Sequence, residues 1–294
     1  MKKLSIIIYF IILSLCGIYI FQSKETIINY VVHKYSTYNI EETKNEYTKE
    51  INYMSFKRTD DFTPENLEEL VNVLYTVLDD GMDKFTFYCD YNCSDDIKDI
   101  TNNDIMETIN NYVHPYNSYS SFHISVNNYN VVNVSAIKTY TEYEIQLINQ
   151  KIKSIADTID GTTYEKILAF HNYIINNTKY DESSIDNQNS KDTSKAYSVL
   201  YKNLGICGGY TDTLAIYLNY IGIDNFKISS KDHIWNALYV DGKWYNIDMT
   251  WDDPVTNTSE DILIHDYFMI SKHELQTKDK LKHNYNIALY QELN

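Results

Sequence analysis

Apolar positions along the chain fall into runs of different period. Leu4 to Phe21 is nearly continuous and follows Lys2 and Lys3. That length suits a membrane span, exceeds a usual signal-peptide core, and lacks a clear small-x-small cleavage site after it. Residues 24–60 turn polar with scattered tyrosines and read as a spacer or early helix. From Thr63, with Pro64 at the first helical position, Leu67, Leu70, Val71, Leu74, Val77 and Leu78 make one helical face that Gly81 closes. Lys84 to Cys89 alternates like a strand, and Asp95 to Val113 reads as a helix interrupted at Asn102-Asn103. Phe122 to Val126 and Tyr129 to Ile137 read as a hairpin over Asn127-Asn128.

Glu142 to Ile159 predicts a helix, and Thr162-Thr163 opens another with Ile167, Leu168, Ile174 and Ile175 facing inward. His171 on that helix reads as packing or surface. Asp181 to Lys195 is polar and loop-like, suited to a mobile cleft wall. Ala196 to Leu204 is a short helix. Tyr210, Leu214, Tyr217, Leu218 and Ile221 then recur at helical spacing, and Gly222 suits the residue just past the helix end. His233 to Val240 and Lys243 to Trp251 predict two strands joined by Asp241-Gly242, a strong two-residue turn signal. That turn pairs Val240 with Lys243, so paired numbers sum to 240 + 243 = 483. His233 then lies opposite Thr250, and Asp248 is diagonal to it on the face shared with Trp235, Trp244 and Asn246. Diagonal neighbours sit roughly 7–8 Å apart, within side-chain reach, while a slip of one residue would separate them.

This placement gives three residues a candidate chemistry. Cys207 opens a helix, where the backbone N–H groups and the helix dipole favour an anion. Gly208 and Gly209 after it are expected to let a substrate backbone approach the sulfur. Cys207, His233 and Asp248 have the residue types of a thiol nucleophile, its base and the base's orienter. A zinc site from the same residues would lack a second Cys or His at close ligand spacing. Asp252-Asp253 before Pro254 reads as local capping in preference to a calcium pair.

Composition narrows the classes. The 294 residues carry a formal charge of −16, which opposes phosphate binding and so a nucleic-acid partner. Four cysteines are too few for a disulfide scaffold. Cys89 and Cys93 are close enough to bond or to stay free. Cys16 follows Leu15, where a lipoprotein signal wants a small residue. His114 and His123 stand alone and read as structural or exposed. No repeat, phosphate loop or zinc-protease motif occurs.

The stretch from Gly205 to Pro254 resembles the transglutaminase-like superfamily, whose core is similar to that of papain-like cysteine proteases. Its G-x-C-x-G-Y start is Gly205-Ile206-Cys207-Gly208-Gly209-Tyr210, and its H-x-W-N strand is His233-Ile234-Trp235-Asn236. Asp241 through Pro254 fills the D-G-K-W-Y-x-x-D-x-T-W-D-D-P ending. Tyr180-Asp181 and Tyr267-Phe268 with Ser271 resemble flanking family segments, so the likeness runs over roughly 160–275. It implies Cys207 as nucleophile, His233 as base and Asp248 as orienter; from the residues themselves, no metal and no cofactor is expected.

The expected fold is α+β: a papain-like core, its Cys-bearing helix packed on an antiparallel sheet bearing His and Asp. The expected organisation is a membrane anchor or signal at 1–23, a spacer at 24–60, an accessory α/β region at 61–140 and the catalytic domain at 141–294. The expected activity is thiol-dependent acyl transfer or hydrolysis at carboxamide bonds by a surface cysteine peptidase or amidase. A protein-glutamine transglutaminase and a non-catalytic binding module are the alternatives. The expected partners are a protein or peptide substrate, cell-wall peptide included, and the membrane through the N-terminal helix. The catalytic domain is expected outside the cell on a single-pass anchor, with secretion as the alternative.

Overall fold

The computed structural model describes residues 2–24, 26–28, 30, 44–102, 104–184, 192–255, 262–279 and 281–293. Helix α1 spans Lys2–Gln22. Its side chains are described from residue 12 on, and Leu15, Ile18, Ile20 and Phe21 are exposed. Among the described residues no helix is long and apolar enough to cross a membrane, so they do not bear out the expected span. The stretch read as a spacer belongs, from residue 44 on, to the packed body. Tyr53 and Phe56 are buried, and the Arg58 guanidinium binds Asp79 and Asp80.

Helix α2 (Leu67–Asp79) starts later than Pro64 suggests. Asn66 caps it, its side chain accepting the Glu69 N–H at 3.0 Å, while Thr63 turns to Asp61. Strand β1 (Lys84–Tyr88), helices α3 (Ser94–Asn102) and α4 (Ile105–Tyr112), and strands β2 (Tyr119–Val126) and β3 (Val131–Lys138) follow. The single helix expected over 95–113 is thus two. Strand β3 lies between β1 and β2 in an antiparallel sheet. The β2–β3 connection is 127–130, longer than the Asn127-Asn128 turn expected. The Asn127 side chain accepts the Tyr129 and Val131 N–H groups, and this local turn displaces the tighter one. Cys89 and Cys93, after β1, are bonded to each other and buried.

Helices α5 (Glu142–Ala156) and α6 (Thr163–Asn177) each open on a capping box, Thr141 with Glu144 and Thr162 with Glu165. Two short strands, β4 (Lys179–Tyr180) and β5 (Leu204–Gly205), pair in parallel across α7 (Ala196–Lys202). Helix α8 (Cys207–Tyr220) follows, with Gly222 past its end at φ 75°. Strands β6 (Asn225–Ser229), β7 (Ile234–Val240) and β8 (Lys243–Ile247) form an antiparallel sheet in that order. Helix α9 (Lys272–Lys278) is the last α-helix among the described residues, and two 3-10 turns, Ile287–Leu289 and Gln291–Leu293, follow it.

Asp241 and Gly242 take φ of 51° and 79°, the left-handed pair that a type I′ turn needs. The register runs from Val240 with Lys243 to Asn236 with Ile247, as the turn dictates. The ladder stops there, short of Trp251. The Asp248 N–H turns to the Tyr267 carbonyl, and the Asp248 side chain caps the turn that follows.

The β6-β7-β8 sheet is covered on both faces. Phe226, Ile228, Trp235 and Ala237 share an apolar cluster with Leu74, Phe87 and Tyr112 of the N-terminal half. Leu238, Val240 and Ile247 share a second cluster with Ile148, Phe170, Leu214 and Tyr217. The period-2 alternation along β7 assigns each residue to its side. The helix that opens at Cys207 thus packs on one face, and the Trp235 face is closed by the N-terminal half, helices α2 and α4 included.

Candidate active site

Cys207 is the first residue of α8 and is partly exposed. The N–H groups of a first helical turn have no partner within the helix, and the dipole there favours negative charge. Two hydrogen bonds lock this turn to β7. Thr211 Oγ1 donates to the Ile234 carbonyl and Asn236 Nδ2 to the Thr211 carbonyl, each at 3.0 Å. The Ile206 N–H donates to the Thr193 carbonyl at 3.0 Å. A Cβ on Gly209 would lie 2.7 Å from that same Thr193 oxygen and 3.2 Å from the Lys195 carbonyl oxygen. Gly209 therefore makes room for the chain's own 193–195 segment. Of the expected mobile wall, 185–191 lies outside the described residues, and 193 is pinned to the Cys207 turn.

His233 precedes β7 and Asp248 follows β8. His233 Nε2 is hydrogen-bonded to Asp248 Oδ2, and Cys207 lies near enough to the ring to favour its charged form. With Nε2 engaged, Nδ1 is the nitrogen left for the thiol. The structure thus brings Cys207, His233 and Asp248 together. Asp248 Oδ1 accepts the Thr250 and Trp251 N–H groups at 3.0 and 3.2 Å. Burial disfavours a charged His233, but the charge and hydrogen bond of Asp248, then Cys207, lift it well above the imidazole range. Burial likewise pushes Asp248 up, and His233 and then His283 hold it well below the carboxylate range. The His233 ring stacks on Trp235, centroids 5.8 Å apart.

A cleft of about 300 Å³ opens beside His233, lined by Tyr180, Trp251, Asp253 and Lys282 among others. Burial, then the negative charges of Cys207 and Asp248, push the Tyr180 hydroxyl up to about 12. It therefore stays protonated and able to donate.

Sequence reasoning missed His283. Its Nε2 lies 2.8 Å from Asp248 Oδ2 and its Nδ1 3.2 Å from Asp279 Oδ2. Nothing local signals this, because a lone histidine in a polar segment is paired across 35 positions. His171, read as packing or surface, is buried and meets Asp252 Oδ2 through Nε2 at 3.1 Å. Asp252 also accepts the Tyr267 N–H at 2.9 Å, and Asp253 accepts the Tyr210 hydroxyl. These two carboxylates are committed to separate protein partners. His114 is buried and accepts the Tyr116 N–H at 3.1 Å. Among the described residues, His233, Asp248 and His283 bring ligand-type atoms within 4.8 Å of one another. In the structure both rings are hydrogen-bonded to the same oxygen, Asp248 Oδ2.

The family model of the transglutaminase-like superfamily matches residues 153–249, a stretch that holds Cys207, His233 and Asp248 and ends before His283. No curated protein matches the chain. Among solved structures, the crystal structure of a TGase is 19% identical, over 49% of this chain and 46% of that one, with a TM-score of 0.35. A protein from Cytophaga hutchinsonii described as a candidate cysteine protease is 14% identical, over 44% and 61%, with a TM-score of 0.28. The match covers less than two thirds of either structure's length, and likenesses this weak carry no argument about activity. The motifs at 205–210, 233–236 and 241–254 fall in or directly after the matched stretch, which is the part of the chain that is similar to the transglutaminase-like superfamily.

Proposed function

We propose that this chain is a thiol-dependent peptidase or amidase. The observation that supports the reading is the continuous line from Asp248 through His233 to Cys207 beside the Tyr180–Trp251 cleft. The Cys207 thiolate attacks a peptide or carboxamide carbonyl carbon. The C–N bond breaks, the His233 Nδ1 proton goes to the leaving amine, and a thioester remains on the sulfur. Water then attacks the thioester, giving a proton to His233, and the acid leaves as the thiolate re-forms. The Cys207 N–H, with the protonated Tyr180 hydroxyl on the cleft wall, serves the oxyanion.

A lysine amine in place of water would make the same thioester a cross-link, and the test separates the two fates. The protein is incubated with a glutamine-containing protein and a labelled amine, beside a peptide-hydrolysis assay. Hydrolysis without amine incorporation supports the peptidase reading. Incorporation that outpaces hydrolysis reassigns the chain as a transglutaminase, and neither reaction in folded protein leaves a binding module.

The reading includes a place for the enzyme: outside the cell, on an N-terminal anchor. It is supported by Lys2 and Lys3 before the apolar run, by the exposed apolar side chains of α1, and by the Cys89–Cys93 disulfide, which suits an oxidising compartment. A mature N-terminus near residue 24 in the medium would replace the anchor with a cleaved signal.

A further inference from the structure

We propose that His283 is a positioning residue of the thiol site, one that grips Asp248 on the same oxygen His233 uses. The inference rests on the roles assigned above to Cys207, His233 and Asp248. Asp248 Oδ1 is held by two backbone N–H groups of its own turn. Its Oδ2 is located by two rings, His233 on the cleft side and His283 behind. His283 is in turn held through Nδ1 by Asp279 Oδ2. Asp279 accepts the Leu281 N–H at 2.8 Å and the Lys282 N–H at 3.2 Å. The line therefore runs Asp279, His283, Asp248, His233, Cys207.

The surroundings of His283 fix its plane. It is fully buried, lies parallel to Tyr267 with centroids 5.3 Å apart, and meets Trp235 and Trp251 edge-on at 4.8 and 5.1 Å. A packing role needs only the ring's volume. Here each nitrogen faces a carboxylate oxygen, and an imidazole donates to both only when doubly protonated. The consequence is a carboxylate that cannot swing away from His233, and so an imidazole held in line with the sulfur.

The test compares His283→Leu, which keeps bulk and loses the donor, with His283→Gln, whose amide reaches the Nε2 position. The rate at which iodoacetamide modifies Cys207 at neutral pH reads the site without any natural substrate. His283→Leu should slow that rate about 10-fold, on the scale of outer partners that orient a functional histidine, and His283→Gln should recover most of it. A folded His283→Leu protein modified at the wild-type rate overturns the proposal. Should His283→Leu fail to fold, His283→Asn takes its place, since its amide is too short to reach Asp248. Equal rates in the Asn and Gln variants then overturn it. If Cys207 of the wild type reacts no faster than in urea-unfolded chain, the assignment of Cys207 itself falls, and this proposal with it.

Discussion

Trp235 donates its indole N–H to Asn246 Oδ1 at 3.1 Å across the central hairpin. Asn246 Oδ1 thus serves Trp235, while Asp248 Oδ2 serves the His233 imidazole. Asn246→Leu should leave the buried Trp235 N–H unpaired and cost roughly 1–3 kcal/mol of stability. The rate of Cys207 alkylation should hardly change. Urea unfolding beside an alkylation time course checks both, and a collapse of Cys207 reactivity without loss of stability would place Asn246 in the site after all.

Asp248→Asn should lower turnover about 10²–10³-fold, less than the roughly 10⁴ of a serine-protease triad, because a thiol depends less on the third member. The stability effect has a defined pH course. His233 is pushed up to about 10, so its contribution is complete below the ordinary imidazole value of ~6.5 and is lost as pH rises through 10. Asp248 is held down at about 2, so its contribution is complete above ~3.9 and is lost as pH falls through 2. The melting-temperature gap between wild type and Asp248→Asn should be widest between about pH 4 and 6.5 and narrow above. A gap that does not narrow toward alkaline pH would contradict the charged pair.

Gly209→Ala puts a methyl 2.7 Å from a backbone oxygen that cannot step aside cheaply. Helix α8 or the 193–195 segment must shift. We expect a loss of about 1–3 kcal/mol, the usual cost of overpacking, together with slower Cys207 modification. Gly222→Ala controls for a glycine that lacks a close neighbour but needs its positive φ. It should lose stability while keeping Cys207 reactivity. Equal Cys207 reactivity in both variants would mean that the Gly209 contact does not position the sulfur.

Tyr180→Phe removes a hydroxyl and little volume. As a donor to the oxyanion it should cost about 10²-fold in kcat with KM nearly unchanged. A change confined to KM would make Tyr180 a substrate-binding wall instead.

The hairpin was legible because Asp241-Gly242 dictates a turn type, and the turn dictates the register down to Asn236 with Ile247. Cys207 was legible because the period of Tyr210, Leu214 and Tyr217 sets where α8 begins. Strand β6 was not, since four of its five residues are buried and no alternation survives. The Phe122–Ile137 turn was misjudged because an Asn127 side chain competes with backbone geometry. His283 and His171 were out of reach for another reason. Each meets its aspartate across 35 or 81 positions, and such pairing leaves no periodic trace in the sequence.

The most direct test of the central claim is acyl transfer to the sulfur itself. The protein is mixed with p-nitrophenyl acetate and the modified residue is located by mass spectrometry. Cys207 should be acetylated well ahead of Cys16, the other free cysteine. The adduct should be released by hydroxylamine and form much more slowly in His233→Ala. Acetylation of Cys207 no faster than of Cys16, or unaffected by the loss of His233, would contradict the account.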